Sequence, residues 1–185
     1  MTTLETERLR LRPFRMEDAP DIADYAIRPE FARYLPLHSQ SLESVMAFVT
    51  GRVQGGQPDS AGNWHFVIQE TEKPRAIGTI RIGIRELEHR QADLGYALNP
   101  NAWDKGYSSE ALQRILAFGF HELGIERIWV MANIQNAASW RVMERAGMER
   151  EGFMRHHRLY RAEWWDTVLY GIVRDRAGYE AQSTF

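Results

Sequence analysis

The chain has 185 residues, a formal net charge of −2 and no cysteine. A single domain of residues 1–185 is expected, large enough to bury roughly two-thirds of its unfolded surface. A near-neutral charge offers no global field for nucleic acid or an anionic membrane, and zero cysteines exclude disulfides, a thiol nucleophile and thiolate metal ligands. No stretch approaches the roughly 20 apolar residues of a membrane span. The start, Met1-Thr2-Thr3-Leu4-Glu5, lacks a basic-then-apolar signal pattern. A cytoplasmic protein without nucleic-acid or membrane partners is expected.

Residues 8–14 alternate charged and apolar side chains, the period of a half-buried strand that ends at Pro13. A helix follows from Met16, with Ile22, Ala23, Ala26 and Ile27 on its apolar face. A second helical patch spans 41–53, carrying Leu42, Val45, Met46 and Val49 at helical spacing. Residues 51–62 hold four glycines and a proline and read as a mobile loop. Strands are predicted at 64–70, 76–85 and 93–98, joined by connections short enough for antiparallel hairpins. In the second of these, Ile80, Ile82 and Ile84 face one way and Thr79, Arg81 and Arg85 the other.

An amphipathic helix is expected over 108–123, with Leu112, Ile115, Leu116, Gly119 and Leu123 as its buried stripe and Gly124 as its stop. Residues 128–132 are apolar on both faces, as in a central strand. Another helix, 137–146, ends at Gly147, and strands at 149–157 and 164–173 form a closing hairpin. The fold class is therefore mixed α/β: an antiparallel meander followed by a β–helix–β crossover.

The most informative segment joins the 93–98 strand to the next helix: Asn99-Pro100-Asn101-Ala102-Trp103-Asp104-Lys105-Gly106-Tyr107-Ser108-Ser109-Glu110-Ala111. It places a small-residue turn at a helix N-terminus, where backbone N–H groups converge and the helix dipole favours an anion. A P-loop needs Gly-Lys-Ser/Thr, whereas the order here is Lys105-Gly106. A dinucleotide fingerprint needs three spaced glycines, and only Gly106 is present. Two readings remain: an anion cradle, or a plain connection with Asn99-Pro100 as the turn and Ser108 as helix cap.

The turn, together with Asn133-Ile134-Gln135-Asn136-Ala137-Ala138-Ser139 beyond the central strand, resembles the GNAT N-acetyltransferase superfamily. Leu94-Gly95-Tyr96-Ala97-Leu98, the opening Glu5-Thr6-Glu7-Arg8-Leu9-Arg10-Leu11-Arg12-Pro13 and the ending Trp165-Asp166-Thr167-Val168-Leu169-Tyr170 are most similar to its RimJ/RimL-type, ribosomal-protein-alanine branch. The resemblance implies a mainly antiparallel central sheet flanked by helices, with a β–helix–β acetyl-CoA-binding core. It also implies acetyl-CoA as donor and a primary amine as acceptor: a protein N-terminal α-amine, or a small amine as the alternative. A non-catalytic CoA-binding module is a further reading.

On that resemblance the backbone of Asp104, Lys105, Gly106, Tyr107, Ser108 and Ser109 cradles the pyrophosphate. Trp103 and Ser108 depart from the general superfamily wording, but backbone donors do not depend on side-chain identity. Tyr96, Ala97 and Leu98 would pair with the pantetheine arm as though adding a strand, and one of their N–H groups would polarise the thioester carbonyl. Asn136 would bond the pantetheine, or simply cap its helix. Asp93 is the candidate base, against a pairing with Arg81 or Arg85. Glu110 reads as a first-turn carboxylate complementing the helix dipole.

The superfamily's tyrosine acid aligns with Met143, which carries no transferable proton, and the branch implies Ser139 instead, against a backbone-bonded helix hydroxyl. No metal site is expected, because the six histidines are scattered and the adjacent His156 and His157 would face opposite sides of a strand. The basic-aromatic run 155–161 reads as a solvated hairpin tip. Trp64, Trp164 and Trp165 are expected in the core or walling the acceptor groove, with exposed tryptophans favouring a homodimer. Acceptor choice would rest on 51–62 and 158–164.

Overall fold

A computed structural model describes residues 2–35, 41–53, 56–175 and 178. The expected helix and loop at 41–53 and 51–62 fall within these, apart from residues 54–55, which lie outside the described set. The elements in order are β1 (Leu4–Glu5), β2 (Leu9–Arg12), α1 (Ala19–Ala26), α2 (Pro29–Ala32), α3 (Leu42–Thr50), β3 (Asn63–Glu70), β4 (Ala76–Glu86) and β5 (Gln91–Leu98). They continue with α4 (Tyr107–Ala117), β6 (Arg127–Asn133), α5 (Ala137–Arg145), β7 (Glu149–Tyr160) and β8 (Glu163–Val173). The strands hydrogen-bond in the order β1-β2-β3-β4-β5-β6-β8-β7. Pairs β1–β2, β2–β3, β6–β8 and β7–β8 are antiparallel, and β5–β6 is parallel. This is the mixed, mainly antiparallel sheet with helices that the sequence led us to expect.

Two compact units make up the chain: Met1–Arg81 with Tyr96–Ala111, and Ile82–Gly95 with Leu112–Phe185. In the first unit, Ile22, Tyr25 and Ala26 of α1 and Val45 and Val49 of α3 form a core with Phe14, Phe31 and Val67. Ile27, Leu42 and Met46, expected on apolar faces, are exposed instead. Each helix is short and covers its core with one turn of the stripe, so the flanking positions of the pattern turn outward. Ser41 starts α3 by accepting from Ser44 N–H (3.2 Å).

Strand β2 departs from simple alternation. Arg12 is buried, its guanidinium donating to both Asp18 oxygens (2.9 and 2.6 Å) and to Gln69 Oε1 (2.6 Å). Asp18 also accepts from the Arg15 N–H (2.8 Å), so one carboxylate fixes the passage from β2 into α1. Such a charge is tolerated in a core only when paired and hydrogen-bonded.

The expected loop at 51–62 is ordered at its end. Asp59 accepts from the N–H groups of Ala61 and Asn63 and from the Asn63 amide, at 2.9–3.0 Å.

In the second unit, the helix begun by α4 continues through one wider turn, Phe118–Glu122, closed by Leu123 N–H on Phe118 O (3.1 Å). That five-residue step changes the phase of the helix. Phe118 and Phe120 are buried, whereas Leu123, expected in the buried stripe, is half-buried. Gly119 lets the helix approach the sheet: a Cβ there would lie 2.7 Å from Ile128 Cδ1 and 2.8 Å from Ile82 Cδ1. Strand β6 lies between β5 and β8, with Ile128 and Val130 buried. The closing β7–β8 hairpin turns at Arg161 and Ala162, both with positive φ, as a two-residue reversal requires. Among the described residues no helix is long and apolar enough to cross a membrane.

Candidate functional site

The parallel ladder between β5 and β6 covers Gln91–Leu94 against Arg127–Val130 and stops there. Strand β5 nevertheless continues through Tyr96 and Ala97 to Leu98, and β6 continues to Asn133 on its β8 ladder. The backbone of residues 96–98 thus runs on outside the parallel pairing. Gly78 of β4 packs beneath it: a Cβ at Gly78 would fall 2.6 Å from Ala97 O and 2.7 Å from Leu98 Cδ1.

The turn after β5 is built from local hydrogen bonds. Asn99 N–H donates to Ile77 O (2.8 Å), while Asn99 Oδ1 accepts from Asn101 N–H (3.0 Å). Trp103 lays its indole back along the strand and donates Nε1–H to Leu98 O (2.8 Å). Two left-handed residues follow, Asp104 (φ 59°) and Gly106 (φ 80°). Aspartate tolerates that region and glycine adopts it freely. The first intrahelical bond of α4 is Glu110 N–H to Gly106 O (3.1 Å), so the N–H groups of Tyr107, Ser108 and Ser109 precede the helical ladder. Asp104, Lys105 and Gly106 are exposed. The N–H groups ahead of the ladder and the positive end of the helix dipole lie together on the exposed turn.

This turn is tethered from the connection between β1 and β2. Glu110 accepts from Thr6 Oγ1 (2.5 Å), Arg8 N–H (2.9 Å) and Arg8 Nε (2.7 Å), and pairs with Arg8 Nη2 (2.6 Å). Arg8 Nη1 donates to Lys105 O (3.1 Å), and its guanidinium lies 4.8 Å from the Tyr107 ring centre. Partial burial alone would raise the Glu110 carboxyl; the bonds from Thr6 and Arg8 outweigh it and hold the group below the usual carboxylate range. Tyr107 O–H donates to Glu70 Oε1 (2.8 Å), which with burial raises the phenol. Glu110 is therefore an anchor as well as a first-turn carboxylate. Nothing in the opening motif points to a role for Arg8 and Thr6, because their contact with the turn has no signature in local periodicity.

In the second unit, Asp93 is buried and its Oδ1 accepts from Arg85 Nε (2.6 Å). The pairing weighed against a base role is thus present. Asn136 opens α5 and its Oδ1 accepts from Ser139 N–H (3.2 Å), so the capping role is also present. Ser139 sits in the first turn of α5. Met143 is fully buried, a core side chain.

The strand alternation expected at His156 and His157 is broken by a bulge between Met154 and Arg158. His156 adopts φ 47°, donates its N–H to Asp166 Oδ1 (2.8 Å) and stacks on Trp164. Trp164, expected in the core or along the groove, is 56% exposed. No cluster of three potential metal ligands occurs among the described residues.

Residues 8–149 match the family model "Acetyltransferase (GNAT) domain". The chain is 31% identical over 172 residues to the "Uncharacterized N-acetyltransferase YnaD" of Bacillus subtilis, covering 93% of this chain and 97% of that protein. A solved structure of a GNAT-family acetyltransferase from Bacillus anthracis superposes with a TM-score of 0.84 at 29% identity, covering 94% of this chain and 99% of that one. The ribosomal L7/L12 α-N-protein acetyltransferase RimL, solved with coenzyme A, shares the fold at 19% identity, with a TM-score of 0.79 and coverage of 93% and 98%. The family uses acetyl-CoA, and the sheet, the helix-opening turn and the family match agree: this chain belongs to the GNAT N-acetyltransferases.

Proposed function

We propose that this enzyme transfers the acetyl group of acetyl-CoA to a primary amine by direct attack, with the α-amine of a protein N-terminus as acceptor and the cytoplasm as its compartment. The observation that carries the cofactor half is the end of the β5–β6 ladder at Leu94, after which β5 leads into a turn whose N–H groups precede the helical ladder. The pyrophosphate would lie on the backbone of residues 104–109. Gly106 suits this role twice, through its left-handed φ and its lack of a side chain on the exposed turn. Residues 96–98 would pair with the pantetheine arm and polarise the thioester carbonyl. Asn136 would bond the same arm while capping α5.

For the proton steps, Ser139 is the proposed donor to the leaving thiolate. Asp93 is the proposed proton acceptor, although Arg85 already holds one of its oxygens, which narrows that role. Direct attack needs the amine neutral, and an α-amine with a reference pKa of about 7.7–8.0 is more readily deprotonated than a lysine-like amine. That chemistry, with the likeness to the ribosomal-protein branch, supports an N-terminal acceptor over a polyamine.

The test is an acceptor screen read by release of free thiol from acetyl-CoA, comparing peptides with free N-termini, polyamines and amino acids. Preferential turnover of N-terminal peptides is expected. Turnover restricted to small amines would move the acceptor to that class. Bound acetyl-CoA that no amine consumes would make the chain a CoA-binding module.

A further inference from the structure

Outside the turn, one pair of side chains has the arrangement of an oriented proton acceptor. His65 of β3 and Asp59 of the preceding loop meet at 3.0 Å, between the imidazole Nε2 and carboxylate Oδ2. Asp59 is itself fixed by the Ala61 and Asn63 N–H groups and the Asn63 amide. With the carboxylate ionised, Nε2 carries the proton and donates it, which leaves the lone pair on Nδ1. The imidazole side chain is only 9% exposed and meets the Phe14 ring edge-on. A buried imidazole locked in one tautomer by a rigid carboxylate is the usual geometry of a general base and its orienting partner.

The position suits the reaction. Strands β3, β4 and β5 are consecutive in the sheet, so β3 lies about 10 Å from β5 at ordinary strand spacing. The bond from Asn99 N–H to Ile77 O sets the β4–β5 register. Counting back along the two strands brings Ile80 of β4 level with Tyr96 at the start of the 96–98 segment, with Arg81 next along β4. Arg81 is also one of the charges acting on His65. The imidazole therefore stands on the strand second from the stretch of β5 proposed to hold the thioester, a separation that a chain of ordered waters would bridge to a bound amine.

We propose that His65, oriented by Asp59, accepts the proton that the acceptor ammonium must lose before attack. This role rests on the proposed amine acetylation and gives the proton to His65 in place of Asp93, whose Oδ1 Arg85 already holds. The ammonium gives one proton through water to Nδ1. The neutral nitrogen attacks the thioester carbonyl carbon, forming C–N as C–S breaks. The thiolate takes a proton from Ser139, which is restored by the second nitrogen proton, and the imidazolium returns the first to solvent.

The groups facing His65 are Asp59 from the loop, Arg52 after α3 and Arg81 from β4. Burial, with Arg52 and Arg81, lowers the imidazole from its ordinary value against the opposing pull of Asp59. It is therefore neutral, and able to accept a proton, at neutral pH.

The experiment measures kcat and KM from pH 6 to 10 for the wild type, His65→Gln and Asp59→Asn. The probes are an alanine-initiated peptide and spermidine, each with acetyl-CoA. His65→Gln should lower kcat about 100-fold or more near neutrality, keep the KM for acetyl-CoA, and recover toward high pH as the amine deprotonates unaided. Asp59→Asn should give a smaller loss of the same shape. A His65→Gln profile parallel to the wild type, or a loss equal at every pH, overturns the proposal. A wild type that binds acetyl-CoA yet acetylates neither these probes nor the wider panel overturns the proposed function itself, and this role with it. Should the variant not fold, 15N shifts of the wild-type imidazole decide: Nδ1 as the titrating atom supports the assignment, and Nε2 overturns it.

Discussion

Arg8 and Glu110, 102 residues apart, join the β1–β2 connection to the first turn of α4: the Arg8 backbone and guanidinium both donate to the Glu110 carboxylate. The same arginine reaches the carbonyl of Lys105 inside the turn. One side chain thus fixes both the helix start and the peptide just before Gly106. Pre-set donors bind an anion without the cost of ordering a loop first.

Replacing Glu110 with Ala should therefore loosen the turn rather than the chemistry. The KM for acetyl-CoA is expected to rise about tenfold, roughly 1.4 kcal/mol of binding, with kcat changed less than threefold. Steady-state kinetics at saturating acceptor separates the two parameters.

Gly78 lies beneath the segment proposed to pair with the pantetheine. Gly78→Ala would press a methyl against Ala97 O and Leu98, which must displace backbone, because the carbonyl cannot rotate away as a side chain does. A loss of about 1–3 kcal/mol in stability is expected, together with weaker acetyl-CoA binding. Urea unfolding and isothermal titration calorimetry check both.

The buried Arg12–Asp18 pair predicts a larger effect without any catalytic signature. Asp18→Ala leaves a guanidinium that is 7% exposed without its carboxylate. A cost of about 3–5 kcal/mol is expected, visible as a lowered urea midpoint, with kcat per folded molecule unchanged. Replacing both partners with apolar residues should restore part of it.

Acid stability follows from two carboxyls held below their ordinary values. Asp59 is lowered by its Asn63, His65 and Ala61 bonds against the opposing effect of desolvation, and Glu110 by Thr6 and Arg8 in the same way. A depressed carboxyl binds fewer protons in the native state than in the unfolded chain. Its contribution is complete above the unfolded value and fades as pH falls through the native one. The melting temperature should thus hold down to about pH 5 and decline below the ordinary carboxylate range near 4. Asp59→Asn and Glu110→Gln should each flatten that decline in a thermal-melt series from pH 2.5 to 7.

The elements were readable because their signals are local. Alternation marked β4, helical spacing of apolar residues marked α3, and glycine stops marked Gly124 and Gly147, both of which have positive φ. The turn of residues 99–110 was readable for the same reason, since a helix start with small residues is decided by neighbours within one turn. Where local patterns misled, a longer-range interaction overrode them. Arg12 looked like a solvent-facing charge until Asp18 and Gln69 enclosed it. The stripe of the 108–123 helix lost phase at residues 118–122, where the wider turn buries Phe118 and Phe120 and Gly119 meets Ile82 and Ile128.

By itself the sequence determined the order of strands and helices, the small-residue turn at the start of α4 and the family to which they belong. Periodicity and backbone preference are set by residues a few positions apart, and the chain carries them wherever it folds. Only the tertiary structure decided that Arg8 and Thr6 hold the turn, that Arg85 occupies Asp93, and that Asp59 orients His65. Those are meetings of side chains selected by sheet order and burial, and a charge along the sequence does not reveal which opposite charge will close on it.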